Sequence, residues 1–337
     1  MKIKPVMAAV LAMAAASAHA QSSVTLFGVA DVNMRSVNNS GVSANTTMSG
    51  GGLSSNRLGF RGIEDLGGGL KAGFWLESDV AFDTGTTNAN GKFFARRSTL
   101  SLIGNFGEVR LGRDLTPSGA HTYTYDPFGV IGVGGSAGVA RYSAQTTFYR
   151  SDNAFQYISP VMGGVQAQVM FAPDENGLNK VNQYGGFRLS YGAGPLSVSG
   201  SYGTLETATG KFTSTGVAGS WDFGVARVMA HYYRDKLVAA AESRYLVGVS
   251  VPVGAHEVRA SYVNSNANGG NAAYNSSDAN QMAIGYVHNL SKRTAFYGTL
   301  SRISNKGAAT FAIAGGTPGI APGGKSTGYE FGMRHSF

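Results

Sequence analysis

Along much of this chain apolar and polar residues alternate one by one. In LKAGFWLESDVAF, Leu70, Ala72, Phe74, Leu76, Val80 and Phe82 form one series, and Lys71, Gly73, Trp75, Glu77 and Asp79 the other. VTLFGVADVNM sets Val24, Leu26, Ala30, Val32 and Met34 on one side and Asp31 and Asn33 on the other, and SVSGSY and VRASY alternate likewise. A period of two sends successive side chains to opposite faces of a β-strand. The segments run about ten residues, longer than the usual strand of a soluble protein and matched to a tilted strand that crosses a bilayer. Their apolar faces are modest and the opposite faces wet, whereas a β-sandwich core needs a bulkier face. The final stretch, GYEFGMRHSF, keeps the same alternation: Tyr329, Phe331, Met333, His335 and Phe337 against Glu330, Gly332, Arg334 and Ser336.

The connections divide into two kinds. Seven are short and marked by turn residues, near Gly68, Phe106, Pro160, Pro195, Gly224, Gly254 and Ser291; between them lie eight longer polar stretches such as SVNNSGVSANTTMSGGG and NSNANGGNAAYNSSDAN. This count predicts sixteen strands with both termini on the short-turn side, the asymmetry of an outer-membrane barrel. In hydrocarbon every backbone N–H and C=O needs an internal partner, so such a sheet must close on itself. At sixteen strands the lumen is too wide for side chains to fill and leaves an aqueous channel. The expected fold is therefore all-β: a 16-stranded antiparallel transmembrane β-barrel forming one domain over residues 21–337. Phe27, Tyr157, Tyr191, Tyr202, Trp221, Tyr262, Tyr286 and Tyr297 lie near segment ends and suit interface girdles.

Residues 1–20 have the form of a cleaved signal peptide: Lys2 and Lys4, an apolar run from Val6 to Ala18, and Ala18-His19-Ala20 before Gln21. Without the two lysines the formal charge of +8 becomes +6. No run of basic residues marks a nucleic-acid surface. The absence of cysteine excludes a disulfide framework and a thiolate metal site. Histidines are few and scattered, and no G-x-S-x-G elbow occurs. Neither an enzyme, a metal nor a cofactor is expected.

Several stretches resemble the neisserial-type general porins of β-proteobacteria: QSSVTLFGVADVN at the mature start, RLGFRGIEDLGGGLKAGFWLE, LSLIGNFGEVRLGR, VPVGAHEVRASY, LSKRT and the closing GMRHSF. The resemblance runs end to end. It implies a homotrimer of sixteen-stranded barrels in the outer membrane, each with its third loop folded into the pore and a basic cluster on the wall opposite. That loop corresponds to the segment from about Leu115 to Phe148, the longest without clear alternation. Asp126-Pro127-Phe128-Gly129 matches the family's turn there, with the acid preceding the proline instead of following it. The resemblance also implies that an ending such as Phe337 is read by the barrel assembly machinery.

Strand parity assigns the arginines of the cluster. Leu58 and Phe60 take the lipid side, so Arg57 and Arg61 point inward; Phe155 and Tyr157 do the same for Arg150 and Asp152. In FARRSTLSL the family motif matches Arg96, whereas parity favours Arg97, and both stay open. A charge on the lipid face at mid-depth costs about 2–4 kcal/mol, which drives these side chains inward or to the rim. The candidate pore constriction is Arg57, Arg61, Arg96, Arg97 and Arg150 opposite Asp126. Excess fixed positive charge in a narrow aqueous path favours anions. The expected function is passive diffusion of small hydrophilic solutes with mild anion preference. The alternative is a substrate-selective channel using Tyr123, Tyr125 and Arg150. Expected partners are further copies of the chain, outer-membrane lipid and lipopolysaccharide, the assembly machinery and small solutes, and no nucleic acid.

Overall fold

The computed structural model describes residues 23–337 apart from 88–90, 143–145, 175–176 and 178–179, so the expected signal peptide lies outside the described residues. The alternating segments form β1 (Ser23–Asn39), β2 (Asn45–Gly50), β3 (Arg57–Gly67), β4 (Leu70–Ser78), β5 (Arg97–Gly104), β6 (Gly107–Leu115), β7 (Arg150–Ile158) and β8 (Val165–Ala172). They continue as β9 (Tyr184–Ala193), β10 (Leu196–Thr207), β11 (Gly210–Asp222), β12 (Arg227–Leu237), β13 (Ala240–Val253), β14 (His256–Asn268), β15 (Ala279–Asn289), β16 (Thr294–Asn305) and β17 (Lys325–Ser336). β2 and β3 each pair antiparallel with β1, from β3 onward each strand pairs antiparallel with the next, and β17 closes on β1 in the register Val29↔Ser336 to Asn39↔Ser326. Since β2 and β3 both pair along β1, sixteen positions complete the circle.

One acid explains that interruption. The Asp31 carboxylate accepts from the backbone N–H groups of Gly52 at 3.2 Å, Leu53 at 2.8 Å and Ser54 at 2.6 Å, and from the Tyr297 hydroxyl. The chain between β2 and β3 wraps around Asp31 before rejoining β1. Tyr297 is thus buried on the inner face of β16, and Phe27 lies inside against Trp75 with ring centroids 5.1 Å apart. Neither joins the outer girdle; their parity, shared with inward neighbours such as Asp31, sets them inside. Tyr191, Tyr202, Trp221 and Tyr286 do stand exposed on the outer face, among exposed apolar side chains such as Leu26, Leu100, Ile284 and Phe331.

The seven short turns fall where the glycine- and proline-marked sequences place them. The opposite end differs. Only residues 208–209 join β10 to β11, and only 238–239 join β12 to β13. The polar stretches there are strand ends whose inward side chains, such as Leu205 and Phe212, are buried against loop 3, while polar residues such as Glu206, Lys211, Arg234 and Lys236 occupy the outward face and hide the alternation.

Candidate functional site

Residues 116–149, here loop 3, join β6 to β7. Thr116 closes the base, its N–H donating to Tyr149 O at 3.0 Å and its hydroxyl to Phe148 O at 2.6 Å. Thr116 also caps α1 (Pro117–Thr124) by accepting from Gly119 N at 3.0 Å, with proline suited to the first helical position. The helix sits on β9–β11 through Ser118 to Tyr184 (3.2 Å), His121 to Ser199 (3.0 Å) and Tyr125 to Ser197 (3.0 Å). Farther on, Gln281 Nε2 donates to Val133 O and Gly135 O at 3.1 and 3.3 Å, and Val133 N donates to Glu330 at 3.1 Å. Val133 and Val139 pack with Val37, Leu246, Val263 and Ile303. Loop 3 is thereby fastened to the inner face of one wall.

Across from it, a cleft of about 820 Å³ is lined by Arg96, Arg150, Asp79 and Asp83 on one side and by residues 130–141 of loop 3 and Phe311–Ala314 on the other. Arg96 Nε lies 2.5 Å and Arg57 Nη1 3.7 Å from the same Glu77 oxygen. Arg150 Nε donates to the Arg96 carbonyl at 3.1 Å. Two guanidinium groups therefore share the one carboxylate of Glu77, and Arg150 stands beside them bonded to a carbonyl. Asp152 does not join them, because it pairs with Lys92 and with Arg113, the latter at 2.8 Å.

The remaining candidates lie elsewhere. Arg97 starts β5, where parity turns it inward; its Nε lies 3.6 Å from Asp114 and its guanidinium 4.5 Å from the Trp75 ring centre. Arg61 stacks over Trp75 at 5.0 Å and over Phe27 at 5.3 Å. Arg96 precedes the strand, so parity does not constrain it, and both arginines of the pair reach the inner side. Asp126 is a correction. Its carboxylate is buried within loop 3 and accepts from the N–H groups of Phe128 (2.8 Å), Val130 (3.2 Å) and Ser136 (2.9 Å). Burial pushes its carboxyl up against the pull of those donors. It folds the loop and does not face the arginines; Asp79 and Asp83 line the cleft instead. The apolar run Phe311–Ala314 also lines the cleft, and an apolar run inside a long polar loop was the signal for it.

The wall beneath loop 3 carries charges of a different kind. Arg244 is buried with Glu242 at 3.1 Å and Asp235 at 3.6 Å. Arg35 and Glu330, cross-strand partners in the β1–β17 seam, meet at 2.8 Å. Burial, reinforced by the nearby Arg188 charge, pushes the His121 imidazole down to about 4.

The sequence profile described as Gram-negative porin matches residues 8–308. The chain belongs to the Gram-negative porin family. Among its relatives, outer membrane porin protein 32 of Delftia acidovorans is 40% identical over 363 residues, covering 100% of both chains. Major outer membrane protein P.IB of Neisseria meningitidis serogroup B is 29% identical over 208 residues and 57% of each chain. The solved structure of the anion-selective porin from Comamonas acidovorans superposes with a TM-score of 0.86 at 39% identity, covering 94% of this chain and 100% of that one. A trimer form of OmpT from Vibrio cholerae shares the barrel alone, with a TM-score of 0.66 at 16% identity, covering 94% and 99%. This porin is an outer-membrane protein and a passive channel for small hydrophilic solutes.

Proposed function

We propose that the porin conducts small anions in mild preference to cations, and that Arg57, Arg96 and Arg150 supply the field. The observation that carries this is the charge balance around the cleft: Arg35, Arg57, Arg96, Arg141 and Arg150 stand against Glu77, Asp79, Asp83 and Glu330, with loop 3 on the far side. Arginine suits the role because it stays protonated and is weakly hydrated. Arg61 and Arg97 extend the basic wall beyond the cleft. The anion selectivity named for the Comamonas acidovorans porin agrees with this reading. A substrate-selective channel has less support, since Tyr125, one of its three candidate contacts, is fully buried against Ser197.

The working unit in this proposal is a trimer of chains comprising residues 21–337, exported by residues 1–20 and embedded among outer-membrane lipid and lipopolysaccharide. Phe337 is its assembly signal. Support for that role is the pairing of Phe337 with Gly28 in both directions, at 3.0 and 3.1 Å, and a ring that a Cβ on Gly28 would strike. Zero-current potentials in planar bilayers under a KCl gradient test the selectivity: the sign should report chloride as the more permeant ion. A clear potential of the opposite sign overturns the charge argument.

A further inference from the structure

Three of the chain's six histidines, His256, His288 and His335, lie near the short-turn ends of their strands, and two of them face each other on the outer wall. His256 on β14 and His288 on β15 are register partners. Asn289 N donates to Ala255 O at 2.8 Å, so the adjoining 255/289 pair is hydrogen-bonded and 256/288 is the intervening non-hydrogen-bonded pair. Such pairs bring Cα atoms to about 4.5 Å and hold side chains closest. The two Nδ1 atoms are 3.0 Å apart, with ring centroids at 4.7 Å. Tyr286, two residues along β15, brings its hydroxyl to 2.6 Å from the same His256 Nδ1.

The hydrogen-bond count does not close. An imidazole nitrogen carries either one proton or one in-plane lone pair. His256 Nδ1 nevertheless faces two polar atoms, so one bond is divided between them. A divalent cation resolves the shortage by accepting a lone pair from each of two imidazole nitrogens and a phenolic oxygen. Metal–nitrogen bonds of about 2.0–2.1 Å hold neighbouring ligands roughly 3.3 Å apart at the tetrahedral angle and roughly 2.9 Å apart at a right angle. The observed 3.0 Å falls between these values. Imidazole suits copper, nickel and zinc, whereas magnesium and calcium seek oxygen ligands.

We propose that His256 and His288, aided by Tyr286, form a binding site for a borderline transition-metal dication on the outer wall at the periplasmic rim. The site is separate from the pore, and water completes the coordination. Both imidazoles reach solvent, and their turn is one of the short ones, which places the site in the periplasmic headgroup zone.

Copper is the probe. Full-length porin without an affinity tag, folded in detergent, is titrated with Cu²⁺ by calorimetry, and its electron paramagnetic resonance spectrum is recorded. The expected result is one Cu²⁺ per chain with hyperfine structure from two nitrogens. His256→Asn and His288→Asn should each abolish that step, Tyr286→Phe should weaken it by about tenfold, and His335→Asn should leave it intact. Single-channel conductance of every variant should match the parent, which shows the barrel folded. Absence of a stoichiometric step, a one-nitrogen spectrum, or undiminished binding in His256→Asn or His288→Asn overturns the proposal.

Discussion

Two walls of one lumen use arginine in opposite ways. Beneath loop 3, Arg244 is 4% exposed and held by two carboxylates, with the Tyr233 ring centre 5.4 Å away. On the facing wall Arg57 and Arg96 share Glu77, and Arg150 bonds to a carbonyl. The first arrangement is more than neutralised locally and acts as a fastener. In the second, Arg150 bonds to a carbonyl instead of a carboxylate and its charge is left facing the cleft. A guanidinium group influences a passing ion most where no carboxylate is bonded to it and water still reaches it. Arginine number alone says little about selectivity.

The largest effect should come from breaking the fastener. Arg244→Met leaves Glu242 and Asp235 buried without their cation, a defect worth about 3–5 kcal/mol. The unfolding temperature of the barrel on semi-native gels should fall, while the zero-current potential of channels that remain folded changes little. An unchanged unfolding temperature would show that the network contributes nothing.

Acid attacks the same side through His121. Its imidazole sits near 4 when docked and near 6.5 when free. Docking of α1 is therefore fully stable above about pH 6.5 and weakens as the pH falls toward 4, by up to about 3 kcal/mol. Amide exchange in residues 117–124 should quicken at pH 4.5 relative to pH 7, after correction for intrinsic rates. His121→Gln should flatten that difference; persistence of the full difference in the variant assigns the acid sensitivity to other groups.

The smallest energy belongs to the facing wall, where each charge acts across water at about 1 kcal/mol. Arg96→Gln and Arg150→Gln should each lower the anion-to-cation permeability ratio several-fold, the double variant more; stability should move by no more than about 0.5 kcal/mol for Arg150→Gln and by about 1–3 kcal/mol for Arg96→Gln, which strips the buried Glu77 of its nearer partner. Asp126→Asn is the matching control, since its carboxylate serves the backbone of loop 3. Its zero-current potential should equal the parent's, and a shift comparable to that of Arg96→Gln would return Asp126 to the pore.

Strand number and the seven short turns were legible because alternation and turn residues are local signals. The wrap of residues 51–56 around Asp31 was not, because it depends on Tyr297, 266 positions away. Phe27 and Tyr297 suggested girdle residues by type, although the parity of Asp31 beside the one and of Phe296 beside the other would have turned them inward. The tight turns at 208–209 and 238–239 were hidden because the outward faces of the strands beside them are polar, at Glu206, Lys211, Arg234 and Lys236, and such a stretch has the composition of a loop. Parity located Arg57 and Arg97 relative to the lumen, since both lie in regular strands. It could say nothing of Asp126, whose direction is set by an irregular chain folding back on itself. Arg35 and Glu330 each looked like an ordinary wall charge until the closing register paired them.

That seam has a consequence for the order of folding. Arg35 and Glu330 are separated by 295 positions, so the contact sealing the barrel is also among the most distant in sequence. Contacts of this span form late, after shorter loops have closed. Until they form, β1 presents an unpaired edge able to recruit a strand from any neighbouring chain. Glu330 also accepts from Val133 in loop 3, so the step that removes this edge is coupled to the seating of the element that narrows the lumen.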